Sequence, residues 1–126
     1  MNRPSKGNLV QSFRYALEGL QYVLVTERNV RVHLVIALAV VLLSTWLGLS
    51  TVEWVLIIVA IALVFAGEML NTVVELSIDM ITTQPSPLAK RAKDVAAGAV
   101  LVAALAAAAI GFLILGPKLW QKLMLP

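Results

Sequence analysis

Between Val95 and Leu115 the chain runs for twenty-one residues without a charged side chain. A helix rises about 1.5 Å per residue, so this stretch reaches about 32 Å, the thickness of the hydrocarbon layer of a bilayer. Two other stretches are of the same kind. Val32 to Leu49 is eighteen residues, with His33 its only ionisable group and an unbroken apolar core from Leu34 to Leu43. Trp54 opens the third, which is apolar for thirteen residues through Ala66 and has to continue to about Val74 to cross the membrane.

Three such stretches in 126 residues leave no room for a water-soluble core. A soluble domain has about a quarter of its residues charged. Here 13% are charged and 60% are hydrophobic, with mean hydropathy +0.91. The expected fold is an all-α membrane protein, a single domain over residues 1–126, with spans at about 32–49, 54–74 and 95–115. The first thirty-one residues contain no continuous apolar segment, so no cleavable signal peptide is expected. The absence of cysteine excludes disulfides, thiolate catalysis and cysteine-ligated metal, and one histidine cannot build a histidine-rich metal site.

A net charge of +3 suggests nucleic acid until the basic residues are located. Arg3, Lys6, Arg14, Arg28 and Arg31 precede the first span, and Lys90, Arg91 and Lys93 lie between the second and third. The connection between spans one and two has none. By the positive-inside rule the N-terminus and the second loop are cytoplasmic, in a multi-pass membrane protein, and no nucleic-acid partner is expected. Trp46, Trp54 and Trp120 then all fall at the outer interface, where amphipathic indoles gather. Lys118 and Lys122 are the minor exceptions to this pattern.

Ahead of the first span, Leu9, Phe13, Leu17, Leu20 and Leu24 recur at three- and four-residue steps, with Arg14, Glu18 and Gln21 on the other side. This predicts an amphipathic surface helix over about 8–26. In the third span Ala99, Ala103, Ala107 and Gly111 form a small-residue ridge that lets helices approach closely. Three thin helices cover a polar stripe poorly, so a homo-oligomer is expected.

That stripe lies in and just beyond the second span. At about 100° per residue, Glu68, Asn71, Thr72, Glu75 and Asp79 share one face. With Val74 at the inner hydrocarbon edge, Glu68 is inside the membrane and Glu75 and Asp79 are among the headgroups. An acid at mid-span costs about 3 kcal/mol, which thirteen apolar residues offset, and such groups mark pathways or reaction sites. Asp94 is expected as the N-cap of the third span, with free backbone N–H groups behind it and Lys93 beside it, a setting that favours a polyanion. Glu27 and Glu75, at one depth, can hold a Mg²⁺ that carries ATP phosphates. The chain has neither a P-loop nor a kinase glycine-rich loop.

Glu68-Met69-Leu70-Asn71-Thr72 with Glu75 and Asp79, followed by Leu88-Ala89-Lys90-Arg91-Ala92-Lys93-Asp94-Val95-Ala96-Ala97-Gly98-Ala99-Val100-Leu101, closely resembles the small bacterial integral-membrane lipid kinases, the prokaryotic diacylglycerol kinase and undecaprenol kinase family. The resemblance covers about Ser12 to Leu115. It implies an ATP- and Mg²⁺-dependent kinase acting on a membrane lipid hydroxyl, a homotrimer of three-span subunits with a surface helix. By motif it implies Glu68 as general base, Glu27 and Glu75 as metal ligands, Lys93 and Asp94 as a nucleotide-binding pair, Tyr15 as the aromatic beside the nucleotide, and Asn71 and Asp79 as further site positions. Glu27-Arg28-Asn29 followed by His33 is more similar to the undecaprenol kinase branch, so undecaprenol is the favoured acceptor and diacylglycerol the alternative. His33 is expected to line a helix interface or the substrate rather than bind metal. The rival from another class is a small proton-coupled transporter or channel subunit, with Glu68 as the coupling carboxylate.

Overall fold

A computed structural model describes residues 8–124, which form four helices: α1 (Leu9–Thr26), α2 (Arg28–Leu47), α3 (Thr51–Ile81) and α4 (Pro87–Met124). The last three are long and apolar enough to cross a membrane; α3 and α4 contain the expected spans 54–74 and 95–115, while α2 covers the first only through Leu47, two residues short of its expected end. Arg3 and Lys6, two of the orientation charges, lie outside the described residues.

The helices run far past the apolar stretches. With 31 residues in α3 and 38 in α4, they measure about 46 and 57 Å, so both project beyond a hydrocarbon layer of about 30 Å. The connection expected between the second and third spans shrinks to residues 82–86. Glu75, Asp79, Lys90, Lys93 and Asp94 are therefore carried on rigid helix and not on a loop.

Local chemistry accounts for the breaks. Glu27 alone separates α1 from α2, in an extended conformation with φ −92° and ψ 114°. The Arg31 guanidinium donates to the Leu24 and Val25 carbonyls at 3.2 and 2.7 Å, satisfying acceptors that the end of α1 leaves open. Arg31, expected from the sequence only as an orientation charge, is thus a helix cap. α2 stops at Gly48, whose φ of +69° lies in the left-handed region, and its N–H donates to the Ser44 and Thr45 carbonyls. α3 starts with a capping box: Glu53 N–H donates to Ser50 Oγ at 3.4 Å, and Ser50 N–H to Glu53 Oε2 at 2.7 Å.

α3 is the central helix. Ile57, Ala60, Val64, Glu68 and Thr72 are buried at steps of three and four, and its main partner is α4, with α2 contacting both and α1 resting chiefly on α2. A side chain at Gly67 would meet Val100 Cα at 3.8 Å and Ala103 Cβ at 3.9 Å, so the small-residue ridge serves first to bring α3 and α4 together within one chain. Ala103, Ala107 and Gly111 are half-buried, while Ala99 stays exposed.

Only seven apolar side chains among the described residues are buried: Val23, Val30, Leu47, Ile57, Ala60, Val64 and Leu115. Large groups such as Leu42, Phe112 and Leu113 project outward. So small an interior cannot hold a fold together in water; these surfaces require an apolar surrounding. The leucine stripe of α1 is likewise uncovered by the rest of the chain. On its polar side Arg14 donates to Glu18 at 2.8 Å, which holds the guanidinium above its ordinary pKa.

At the end of the bundle away from the carboxylate stripe, Lys118 Nζ lies 3.1 Å from Glu53 Oε2. Lys122 Nζ donates to the Trp46 carbonyl at 2.8 Å and sits 4.9 Å from the centre of its ring. These two lysines, exceptions to the charge pattern, tie the ends of α2, α3 and α4 together.

Candidate active site

The buried row Ala60, Val64, Glu68, Thr72 places an acid where the neighbouring positions are shielded from water, and Glu68 is only 4% exposed. Thr72 Oγ1 donates to the Glu68 main-chain carbonyl at 3.0 Å and so satisfies its own hydroxyl. The Glu68 carboxylate meets α2 instead: His33 Nε2 lies 3.1 Å from Glu68 Oε1. Sequence reasoning did not pair these residues, although both had been placed toward the cytoplasmic half of their spans.

Towards the end of α3 the stripe opens gradually to water. Glu68 and Thr72 are buried, Asn71 and Glu75 half-buried, and Asp79 exposed. Asn71 Nδ2 donates to Glu75 Oε1 at 2.9 Å, while Asn71 Oδ1 is buried with no partner. Asp79 Oδ1 takes a 2.6 Å hydrogen bond from Lys93 Nζ across to α4, and Lys90 pairs with Asp94 at 2.6 Å. A polar cleft of about 390 Å³ lies here, between Asp79, Lys90, Lys93, Asp94 and residues 82–86.

Asp94 is not an N-cap. α4 begins seven residues earlier, at Pro87, and Ser86 does the capping: its Oγ accepts the Ala89 N–H at 3.4 Å and its carbonyl accepts from Lys90 N–H at 3.0 Å. Proline suits the first helical position, where its ring presets φ and no N–H is missed. The N–H groups behind Asp94 lie inside the helix, so the backbone anion site expected there does not exist, and Asp94 contributes its side chain alone. Gln84, whose N–H donates to Thr82 Oγ1 at 3.1 Å, borders the same cleft.

Two expected site residues make no hydrogen bond or ion pair to this cluster among the described residues and do not line its cleft. Glu27 is half-buried at the α1–α2 break, where Thr26 Oγ1 donates to its Oε1 at 3.3 Å. Tyr15 is exposed on α1. No group of three or more metal-ligating side chains forms among the described residues. Mg²⁺ needs fewer: one or two carboxylates, with phosphate oxygens and water completing its shell. Glu75, with Oε1 held by the Asn71 amide and no hydrogen bond to Oε2 among the described residues, is a carboxylate of that kind and fits the ion.

On the membrane side an apolar groove of about 580 Å³ runs between α2, α3 and α4, from His33 to Leu119. Among the described residues His33 is the only polar side chain lining it. An apolar groove, a buried carboxylate and a cleft with two lysines thus follow one another along α3 and α4.

Residues 14–115 match the family described as prokaryotic diacylglycerol kinase. The chain belongs to that family. Among curated relatives, the undecaprenol kinase of Bacillus subtilis is 42% identical over 118 residues, covering 94% of this chain and 96% of that protein. The diacylglycerol kinase of Synechocystis sp. is 42% identical over 113 residues, 89% of this chain and 65% of that longer protein. The Escherichia coli K12 diacylglycerol kinase is 31% identical over 99 residues, 79% of this chain and 81% of that one. Membership of the prokaryotic diacylglycerol kinase family makes this an enzyme of the lipid kinase class, and the transporter reading is not favoured.

Proposed function

We propose that the chain transfers the γ-phosphoryl group of ATP, in a Mg²⁺-dependent reaction, to the hydroxyl of undecaprenol, giving undecaprenyl phosphate and ADP. The observation that carries this reading is the position of buried Glu68 seven residues before Glu75 on the stripe. That is about 10 Å along the helix, room for an acceptor oxygen and a phosphoryl group between a base and a metal ligand.

In this reading Glu68 takes the proton from the lipid hydroxyl as that oxygen forms its bond to the γ-phosphorus, and the bond to the β-phosphate oxygen breaks to release ADP. Glu27 and Glu75 would hold Mg²⁺, which would supply charge neutralisation at the phosphate oxygens. Asn71 orients Glu75. Lys93, steered by Asp79, neutralises phosphate charge from α4, with Asp94 on the same cleft and Tyr15 beside the nucleotide from α1.

Undecaprenol is favoured over diacylglycerol on two grounds. The Bacillus subtilis undecaprenol kinase aligns over nearly the full length of both chains. The groove, moreover, offers no polar side chain besides His33, so two ester carbonyls near an acceptor hydroxyl would find few hydrogen-bond partners there. Diacylglycerol remains the second reading, supported by the family description and by the Synechocystis relative.

The catalytic unit is a homotrimer in the bacterial inner membrane, with the N-terminus and residues 82–86 cytoplasmic. Outward-facing apolar side chains on every helix support lateral partners and lipid contact, and the uncovered leucine stripe of α1 suits a helix lying on the membrane surface. Incubation with γ-labelled ATP and undecaprenol in detergent, with and without a Mg²⁺ chelator, tests the reading: label appears in the lipid only when Mg²⁺ is present.

A further inference from the structure

The Glu68 carboxylate has one side-chain neighbour within hydrogen-bonding distance among the described residues, and it is His33. The nearby Thr72 hydroxyl is spent on a main-chain carbonyl. His33 also lines the apolar groove, as its sole polar side chain. It therefore stands at the junction between the space that suits a lipid tail and the carboxylate that suits a proton acceptor.

A carboxylate on a flexible side chain presents either oxygen, in several orientations, unless a donor fixes it. Displacements of about 1 Å from a productive geometry can lower a rate by about 10²-fold. A buried carboxylate also carries a large desolvation cost unless a hydrogen-bond donor meets it. A ring nitrogen 3.1 Å from one oxygen stands close enough to answer both needs, a small turn of the ring aiming its N–H at that oxygen, and leaves the other oxygen open.

We propose that His33 is a positioning residue for phosphoryl transfer: its Nε2–H is directed to Glu68 Oε1, which fixes the carboxylate so that Oε2 receives the proton of the acceptor alcohol. The inference rests on the kinase reading for its catalytic consequence, but the contact itself is independent of it. His33 acts through Glu68, and its loss lowers kcat without changing the KM for ATP, because the nucleotide groups lie further along α3 and α4.

The geometry makes the substitutions at this site unequal. Glutamine places its amide nitrogen near the position of Nε2, whereas asparagine reaches only about as far as Nδ1, and leucine has no donor. Expected kcat values are about 10²-fold lower for His33→Leu and His33→Asn. His33→Gln returns to within about tenfold of the unsubstituted chain, the size of one imperfect hydrogen bond. Equal losses in all three variants, or a rise in KM for ATP with kcat unchanged, overturn the proposal.

A second measurement separates this inference from the kinase reading. The chain contains one histidine, so ¹⁵N NMR of histidine-labelled protein in detergent reports His33 alone. Glu68→Ala is expected to shift its Nε2 resonance and the attached proton. An unmoved resonance overturns the contact whatever the activity assay gives. A shifted resonance in a chain that transfers no phosphate confirms the contact but overturns the kinase reading, and the catalytic role of His33 with it.

Discussion

Lys93 on α4 hydrogen-bonds Asp79 on α3 at 2.6 Å, closing the membrane-surface ends of the two longest helices across the cleft that they flank. Both side chains are partly open to water, so the pair contributes at most about 1 kcal/mol to stability. Its better use is to aim a cation. Lys93→Ala is expected to leave the thermal midpoint nearly unchanged while weakening ATP binding about tenfold or more at low salt. Isothermal titration at two ionic strengths checks this, and a large loss of stability with normal nucleotide affinity would reverse the assignment.

Glu68→Gln removes the proton acceptor while keeping the size of the side chain. Lipid phosphorylation is expected to fall by about 10²- to 10⁴-fold, with Mg·ATP affinity within about twofold of the unsubstituted chain. Normal turnover in this variant would remove Glu68 as general base.

Glu75→Ala acts on the other half of the reaction. Nucleotide affinity is expected to drop about tenfold or more in the presence of Mg²⁺ and to change little in its absence. Asn71→Leu should follow in the same direction and more weakly, since it removes only the amide that holds Glu75. ATP affinity that is indifferent to Mg²⁺ in both variants would take these residues out of a metal site.

Gly48 offers a control remote from the carboxylate stripe. Its φ of +69° strains any residue with a side chain. Gly48→Val is expected to destabilise the fold by about 1 to 2 kcal/mol, seen as a lower midpoint of thermal unfolding in detergent, with the KM for ATP unaltered. A changed KM would mean that the α2–α3 turn reaches the site.

The spans and the carboxylate stripe were legible because each rests on a single-chain rule. Twenty apolar residues specify a crossing wherever they occur, and 100° per residue puts Glu68, Asn71, Thr72, Glu75 and Asp79 on one face without any knowledge of neighbours. The limits of α3 and α4 were not, because hydropathy finds the part of a helix that meets lipid and is silent on its polar extensions. The start of α4 had a readable signal in Ser86-Pro87, the cap and first-turn pair, but the boundary was drawn at the last charge, Asp94. Ser50 and Glu53 likewise spell a capping box, three residues apart and ahead of the second apolar stretch. What no local pattern contains is the register between helices. Gly67 against Val100 and Ala103 sets how α3 meets α4, and only the assembled bundle brings His33 to Glu68 or Lys118 to Glu53.

Phosphorylation of a polyprenol is the activity proposed for this chain. Purified protein in mixed micelles, given γ-labelled ATP, Mg²⁺ and equal concentrations of undecaprenol and diacylglycerol, puts it to a direct test, with the two lipid products separated and counted. Label predominantly in undecaprenyl phosphate is the expected result. Label predominantly in phosphatidic acid would contradict the choice of acceptor, and label in neither lipid would contradict the kinase reading itself.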